Sequence, residues 1–193
     1  MTVSEPSEVQ GDVGRKAVIS DCGIYRYRLE RDLSGAPKVA AFIMVNPSTA
    51  DAETDDQTIR KCIGFSRANG FGRFLVGNKF AFRATDISAL RDARDPIGPD
   101  NDRHLEEIMR EADVHIAAWG SLSKLPETLR KRWHDIVRMS DRLGVTLHCI
   151  GTNDDKHPKH PQMTGYAVPV TKWSVPWFAG RALLSSTRKD ERA

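Results

Sequence analysis

Four stretches of the chain concentrate short polar side chains of types that can position water, hydrogen-bond a ligand or donate to a developing charge. The first is Asn46-Pro47-Ser48-Thr49, with Asp51, Asp55 and Asp56 close behind. The second runs from Asn78 through Lys79, Phe80 and Arg83 to Asp86. The third is Trp119-Gly120-Ser121, and the fourth is Lys156-His157-Pro158-Lys159-His160-Pro161. Asn and Asp can hold a nucleophilic water; His and Lys can donate to charge that builds on a leaving group. Asp51, Asp55 and Asp56 are also hard-oxygen donors of the kind that holds magnesium. His157 and His160 suit a transition metal. Proline follows each histidine and keeps its backbone out of the helical region, so the pair does not project from one helix face. Solvated loop residues account for both sets, and no metal or other cofactor is assigned.

Apolar runs lead into these stretches. Val39 to Val45 is seven apolar residues without alternation, which reads as a strand buried on both faces of a parallel sheet. Phe74 to Gly77, Val114 to Trp119 and Val145 to Ile150 read as further strands. Helical patterns separate them: Thr54 or Asp55 to about Asn69, Asp102 to Ala112, and Pro126 to Leu143, with a short one at Ser88 to Arg94. Alternating strands and helices predict a three-layer α/β/α fold with a mostly parallel central sheet. Upstream, Tyr25, Tyr27 and Leu29 alternate with Arg26, Arg28 and Glu30. That pattern predicts a half-exposed antiparallel strand at the sheet edge, part of an N-terminal extension. Ligands of open α/β sheets bind beyond the carboxyl ends of the strands. All four polar stretches then share one rim.

The 193 residues suit one domain, expected over 15–180, with a disordered tail at 1–14 and another at 181–193. Hydrophobic residues make up 39% and charged residues 28%, as in soluble globular proteins. No apolar run approaches the roughly 20 residues of a membrane helix, and Met1 to Gly14 has no signal-peptide core. Cys22, Cys62 and Cys149 are far apart and form no CxxC, so neither a disulfide framework nor a zinc knuckle is expected, and a cytoplasmic location is the default. The net charge of +3 is compatible with nucleic acid and decides nothing alone. The absence of GxxxxGK[ST], of GxGxxG after a strand and of GxSxG argues against P-loop, dinucleotide and hydrolase-elbow sites.

The string N-P-S-T-A-D-A-E-T-D-D-Q-T-I-R-K-C-I-G-F at 46–65 resembles a bacterial and phage family known only as domain of unknown function 1643. So do N-K-F-A-F-R-A-T-D at 78–86, D-P-I-G-P-D-N-D at 95–102, A-W-G at 118–120 and H-P-K-H-P at 157–161. A more distant likeness is to the uracil-DNA glycosylase superfamily, itself a three-layer α/β fold. Its mismatch-specific branch carries N-P-G after the first core strand, where Asn46-Pro47-Ser48 stands here. The likeness implies that Asn46 orients the attacking water and Asn78 reads the base. It also implies that His157 or His160 stabilises the departing base. Ser48 in place of glycine and Lys159 in place of serine depart from that pattern.

The leading reading is a nucleobase- or nucleotide-directed enzyme, a glycosylase-like hydrolase of N-glycosidic bonds acting on uracil, mismatched or modified bases. Asn46, Asp51, His157 and His160 would be catalytic. Pro47, Ser48, Thr49, Phe65, Asn78, Phe80, Arg83, Trp119 and Lys156 would bind substrate, with the phenylalanines as stacking surfaces and Arg83, Lys156 and Lys159 on phosphates. One alternative is a non-catalytic module that binds a nucleotide or nucleic acid through the same cleft. Another is a metal-dependent phosphoesterase or nuclease built on Asp51, Asp55 and Asp56. A nucleic acid or nucleotide is the expected partner, with no membrane; the sequence does not fix the oligomeric state.

Overall fold

Val39–Met44 (β4) lies inside the sheet and fills two cores at once. Ala40, Phe42 and Met44 enter one cluster of buried residues; Ala41 and Ile43 enter the other. The absence of alternation in this strand therefore reports two covered faces. The computed structural model describes residues 7–10 and 14–176. Beside β4 lie Arg73–Asn78 (β5) and Val114–Ala117 (β6), then Leu147–Cys149 (β7). The β5-β4-β6-β7 core is parallel throughout. Ser7–Gln10 (β1), Arg15–Ile19 (β2) and Arg26–Asp32 (β3) extend it antiparallel beyond β5. Thr171–Lys172 (β8) closes the other edge, antiparallel to β7.

Helices cover both faces. Gln57–Ala68 (α1) packs Ile59, Cys62 and Phe65 into the cluster that holds Phe42 and Phe74. Phe42 and Phe74 meet edge to face with centroids 5.8 Å apart, a geometry worth about 0.5–1.5 kcal/mol beyond burial. Asn101–Glu111 (α2) and Trp133–Leu143 (α3) pack Leu105, Ile108, Ile136 and Val137 into the opposite cluster. Gly77 in β5 is needed because a Cβ there would lie 2.6 Å from Leu105. Gly144 ends α3 in the left-handed region, φ 69°, as a C-terminal glycine does. The result is an α/β/α arrangement with a parallel centre and an antiparallel N-terminal extension, as the pattern of runs predicts.

Several boundaries differ from expectation. The α1 cap is Asp56, whose carboxylate accepts from the Ile59 amide at 2.9 Å, because Asp55 is already paired with Arg31 and Arg15. Strand β3 is an interior strand, not an edge, since β1 and β2 continue the sheet outside it. Ser7–Gln10 pairs with β2 where a disordered tail was expected; its polar composition hides a strand that gains its order from pairing. The segment at Pro126 starts as a 3-10 turn, Glu127–Arg132, before α3. Residues 1–6, 11–13 and the expected tail at 181–193, with Trp177, lie outside the described residues. Trp173 is buried.

A one-residue bulge interrupts the ladder between β2 and β3. Val18 faces Arg28 and Ile19 faces Arg26, so Tyr27 has no partner of its own in β2. Tyr27 and Arg28 both turn toward α2: Tyr27 stacks on His104 at 5.0 Å, and Arg28 pairs with Glu111. Arg26 is thereby thrown to the α1 face, where its guanidinium Nη1 donates to the Ala50 carbonyl. Bulges of this kind re-aim a side chain.

Candidate functional site

Register places the strand ends level. Met44 pairs with Asn78, Ile43 with Ala117, and Ala117 with Cys149. Beyond β4 and β5 the ladder continues: the Lys79 amide donates to Met44 O and the Phe80 amide to Val45 O, both at 2.9 Å. The four polar loops therefore leave one edge of the parallel core. The β4 and β5 loops are stitched together by Asn46, whose Nδ2 donates to Ala84 O at 2.8 Å and Pro47 O at 3.1 Å. Asn46 Oδ1 has no protein donor among the described residues.

Asn78 and Lys79 point to opposite faces of this rim. Phe74 and Val76 belong to the α1-side cluster, so the period of two puts Asn78 on that side. Asn78 is 1% exposed, and both Nδ2 and Oδ1 lack any hydrogen-bond partner. Lys79 is fully buried on the other side, its Nζ also without a partner. That Nζ lies 5.3 Å from the Trp119 ring centroid. Burial, with a smaller push from Arg132, lowers Lys79 to about 7. The backbone carrying this pair is clamped. Asn101 Nδ2 donates to the carbonyls of both Asn78 and Lys79, and Arg132 Nε donates to that of Lys79, all at 3.1 Å.

The two histidines separate. His157 is buried: it accepts from Trp119 Nε1 at 3.5 Å and packs edge-on to Trp133 at 5.0 Å. It is part of an aromatic cluster completed by Trp173. His160 stands nearer the surface, by Gly120, where a Cβ on the glycine would lie 3.4 Å from its own. Its Nδ1 accepts from the Gln162 amide, so the neutral ring carries its proton on Nε2. Desolvation, reinforced by Lys124 and opposed by Asp56, lowers His160 to about 4. His160 and Asp56 are thus electrostatic neighbours.

The aspartates are occupied. Asp51 accepts from the Glu53 and Thr54 amides at 2.9 and 2.8 Å, bracing its own turn. Burial opposes its ionisation, but these amides and Arg83 outweigh that and hold it below the ordinary carboxylate range. Asp55 pairs with Arg31 at 2.9 Å and Arg15 at 3.1 Å, and Asp56 caps α1. Among the described residues no group of three His, Cys, Asp or Glu is arranged to hold a metal.

Phe65 and Phe80, expected as stacking surfaces, are fully buried among core residues. Phe65 instead meets Tyr166 edge-on at 5.3 Å. Pro47 is buried, Ser48 half-buried and Thr49 exposed. Arg83 Nη1 donates to Gly23 O at 3.3 Å. Lys156 is exposed at φ 62°, its carbonyl accepting from Trp173 Nε1 at 3.1 Å. Arg26 and Lys79 escaped sequence reasoning. Each sits in a pattern that reads as a solvated cation, and only tertiary burial reveals otherwise.

A family described as "Protein of unknown function (DUF1643)" matches residues 26–162. No curated protein matches the chain, and no solved structure does. The match takes in every strand of the parallel core and each of the four polar loops, and it spans more than half of the chain, which therefore belongs to the DUF1643 family.

Proposed function

We propose that the rim is a nucleobase-binding active site and that the protein is a glycosylase-like hydrolase of N-glycosidic bonds. Its targets are uracil, mismatched or modified bases. The reading extends to the fold, as a relative of the uracil-DNA glycosylase arrangement. The observation that carries it is the Asn78 amide, buried with neither its donor nor its acceptor used. A buried polar atom without a partner costs about 1–3 kcal/mol, and native proteins keep few of them. One N–H and one C=O side by side match the lactam edge of a pyrimidine, which offers the complementary pair.

The surrounding groups suit the rest of the reaction. Asn46 Nδ2 is fixed by two carbonyls, leaving Oδ1 to accept from a water. As that water adds to C1′, the glycosidic bond breaks and its electron pair departs with the base. The neutral His160 then donates Nε2–H to the oxygen on which charge gathers, as a preorganised dipole. The base takes a proton from the medium, and the water loses one. Because Asn78 is buried, a base reaches it only when the rim loops part. The phosphoesterase alternative loses support, since Asp51, Asp55 and Asp56 are each committed elsewhere.

The test is incubation with oligonucleotides carrying uracil, mismatched or modified bases, followed by alkaline cleavage at abasic sites. Base release lost in Asn78→Ala is the expected result. A broad panel without any released base overturns the reading, and saturable binding without product converts it to the non-catalytic module.

A further inference from the structure

The bulge at Tyr27 delivers to the α1 face an arginine that no group among the described residues neutralises at close range. Arg26 is 2% exposed. Its Nη1 has one neutral acceptor, the Ala50 carbonyl, and its Nε has none. No carboxylate forms an ion pair with it among the described residues. Asp56 and Asp51 attract it from further off; Arg83 and Arg31 repel it. Both carboxylates already accept backbone amides. A guanidinium keeps its proton in proteins, so it cannot escape the cost of burial by neutralising, as a lysine does. An unpaired buried charge is among the most expensive features a fold can hold.

Asn78 lies on the same side of the sheet, at the end of the strand next to β3. Arg26 donates its own amide to Ala81, three residues after Asn78. Arg83 is on the same β5 loop, next to the bridge between Tyr25 and Phe82. Two guanidiniums in electrostatic reach of each other therefore sit on the strand and the loop that flank the proposed base reader, and among the described residues no carboxylate forms an ion pair with either.

We propose that Arg26, with Arg83 beside it, is a phosphate-binding site that takes the phosphate of the substrate's nucleotide. Planar N–H pairs bind phosphate oxygens in bidentate fashion. The proposal rests on the nucleobase reading and narrows it: the substrate is a nucleotide, free or within a strand, and not a bare base or nucleoside. Binding has a second effect. The phosphate competes with the Ala50 carbonyl for Nη1, so its arrival unlatches the loop between β4 and α1.

The experiment measures ligand affinity by calorimetry and thermal shift, without requiring turnover. The probes are inorganic phosphate, deoxyuridine, deoxyuridine monophosphate and a uracil-containing oligonucleotide. Wild-type protein should bind the monophosphate at least tenfold more tightly than deoxyuridine. Arg26→Met should erase that difference while leaving deoxyuridine binding unchanged. Arg26→Lys, which keeps charge but loses the planar fork, should fall between them, and both variants should melt no lower than wild type. Equal affinity for nucleoside and nucleotide overturns the proposal, as does a phosphate preference that survives in Arg26→Met. A monophosphate preference above the oligonucleotide assigns the site to free nucleotides; the reverse assigns it to strands. Phosphate-dependent binding through Arg26 without base release keeps this site and defeats the glycosylase. Base release insensitive to Arg26→Met does the opposite.

Discussion

The face where α2 meets β3 and the rim beyond the parallel strands handle charge in opposite ways. On the α2 face Arg28 pairs with Glu30 and Glu111 at 2.7 Å, Arg73 with Glu111, and Arg103 with Glu107 at 3.0 Å. The groove there, about 390 Å³, is walled by cations and carboxylates that already hold each other. At the rim, Asn78, Lys79 and Arg26 keep buried polar atoms with no partner. On the first face Arg73 Nε and His104 Nδ1 also lack a hydrogen bond, but both groups sit against carboxylates, Glu111 and Glu107. At the rim, among the described residues, Lys79 and Arg26 have no carboxylate in an ion pair, and the Asn78 amide has no partner at all. Groups left unpaired in this way are a reserve that destabilises a fold, and folds retain it where a ligand uses it.

The comparison breaks most decisively at Asn78. Asn78→Ala should lower base release by at least about 100-fold while the melting temperature stays within a few degrees. A variant that unfolds instead would make Asn78 a structural residue, and the contrast between the regions would vanish.

His160 supplies the next largest effect. Its pKa is about 4 in the fold against about 6.5 unfolded. Below pH 6.5 the unfolded chain binds the additional proton, so stability falls as pH drops from 6.5 to 4, by up to about 3 kcal/mol. Denaturant titrations across that range should show the loss, and His160→Gln should flatten it. An unchanged slope in the variant would assign the acid sensitivity elsewhere.

Lys79 tests the cost of the reserve directly. With its pKa near 7 in the fold and about 10.4 unfolded, the penalty is full below pH 7 and fades toward pH 10. Lys79→Met should therefore stabilise the protein at neutral pH by about 2 kcal/mol, and the gain should shrink as pH rises. A destabilised variant would mean that the amine is bonded in solution.

The smallest effect belongs to the paired face. Arg103 is exposed, and its removal in Arg103→Gln should change stability by about 0.5 kcal/mol or less. A larger loss by chemical denaturation would show that the ion-pair face carries more of the fold than its exposure suggests.

Much of this architecture is legible in the chain itself, and the reasons are local. The run at β4 shows two covered faces because a strand with one wet face must alternate. The Gly144 helix end follows from a left-handed backbone geometry that few residues adopt. What escapes is settled between distant segments. Asp56 caps α1 only because Arg31 and Arg15 claim Asp55. Strand β3 looks like an edge until β1 and β2 arrive. Asn78 reads correctly as a strand end, but its empty amide is visible only when everything around it is placed. Phe65 and Phe80 are ambiguous for a related reason: an aromatic residue near a polar loop looks the same in sequence whether it faces a ligand or the core.

The unpaired Tyr27 makes chain length, rather than residue identity, the variable that decides where Arg26 goes. Excising one residue from that strand would return every upstream side chain to the facing it has in a regular ribbon, and the guanidinium would swing to the far surface. Relatives that differ by a single insertion or deletion between Ile24 and Arg28 would then differ in what they bind, with every loop residue of the rim unchanged.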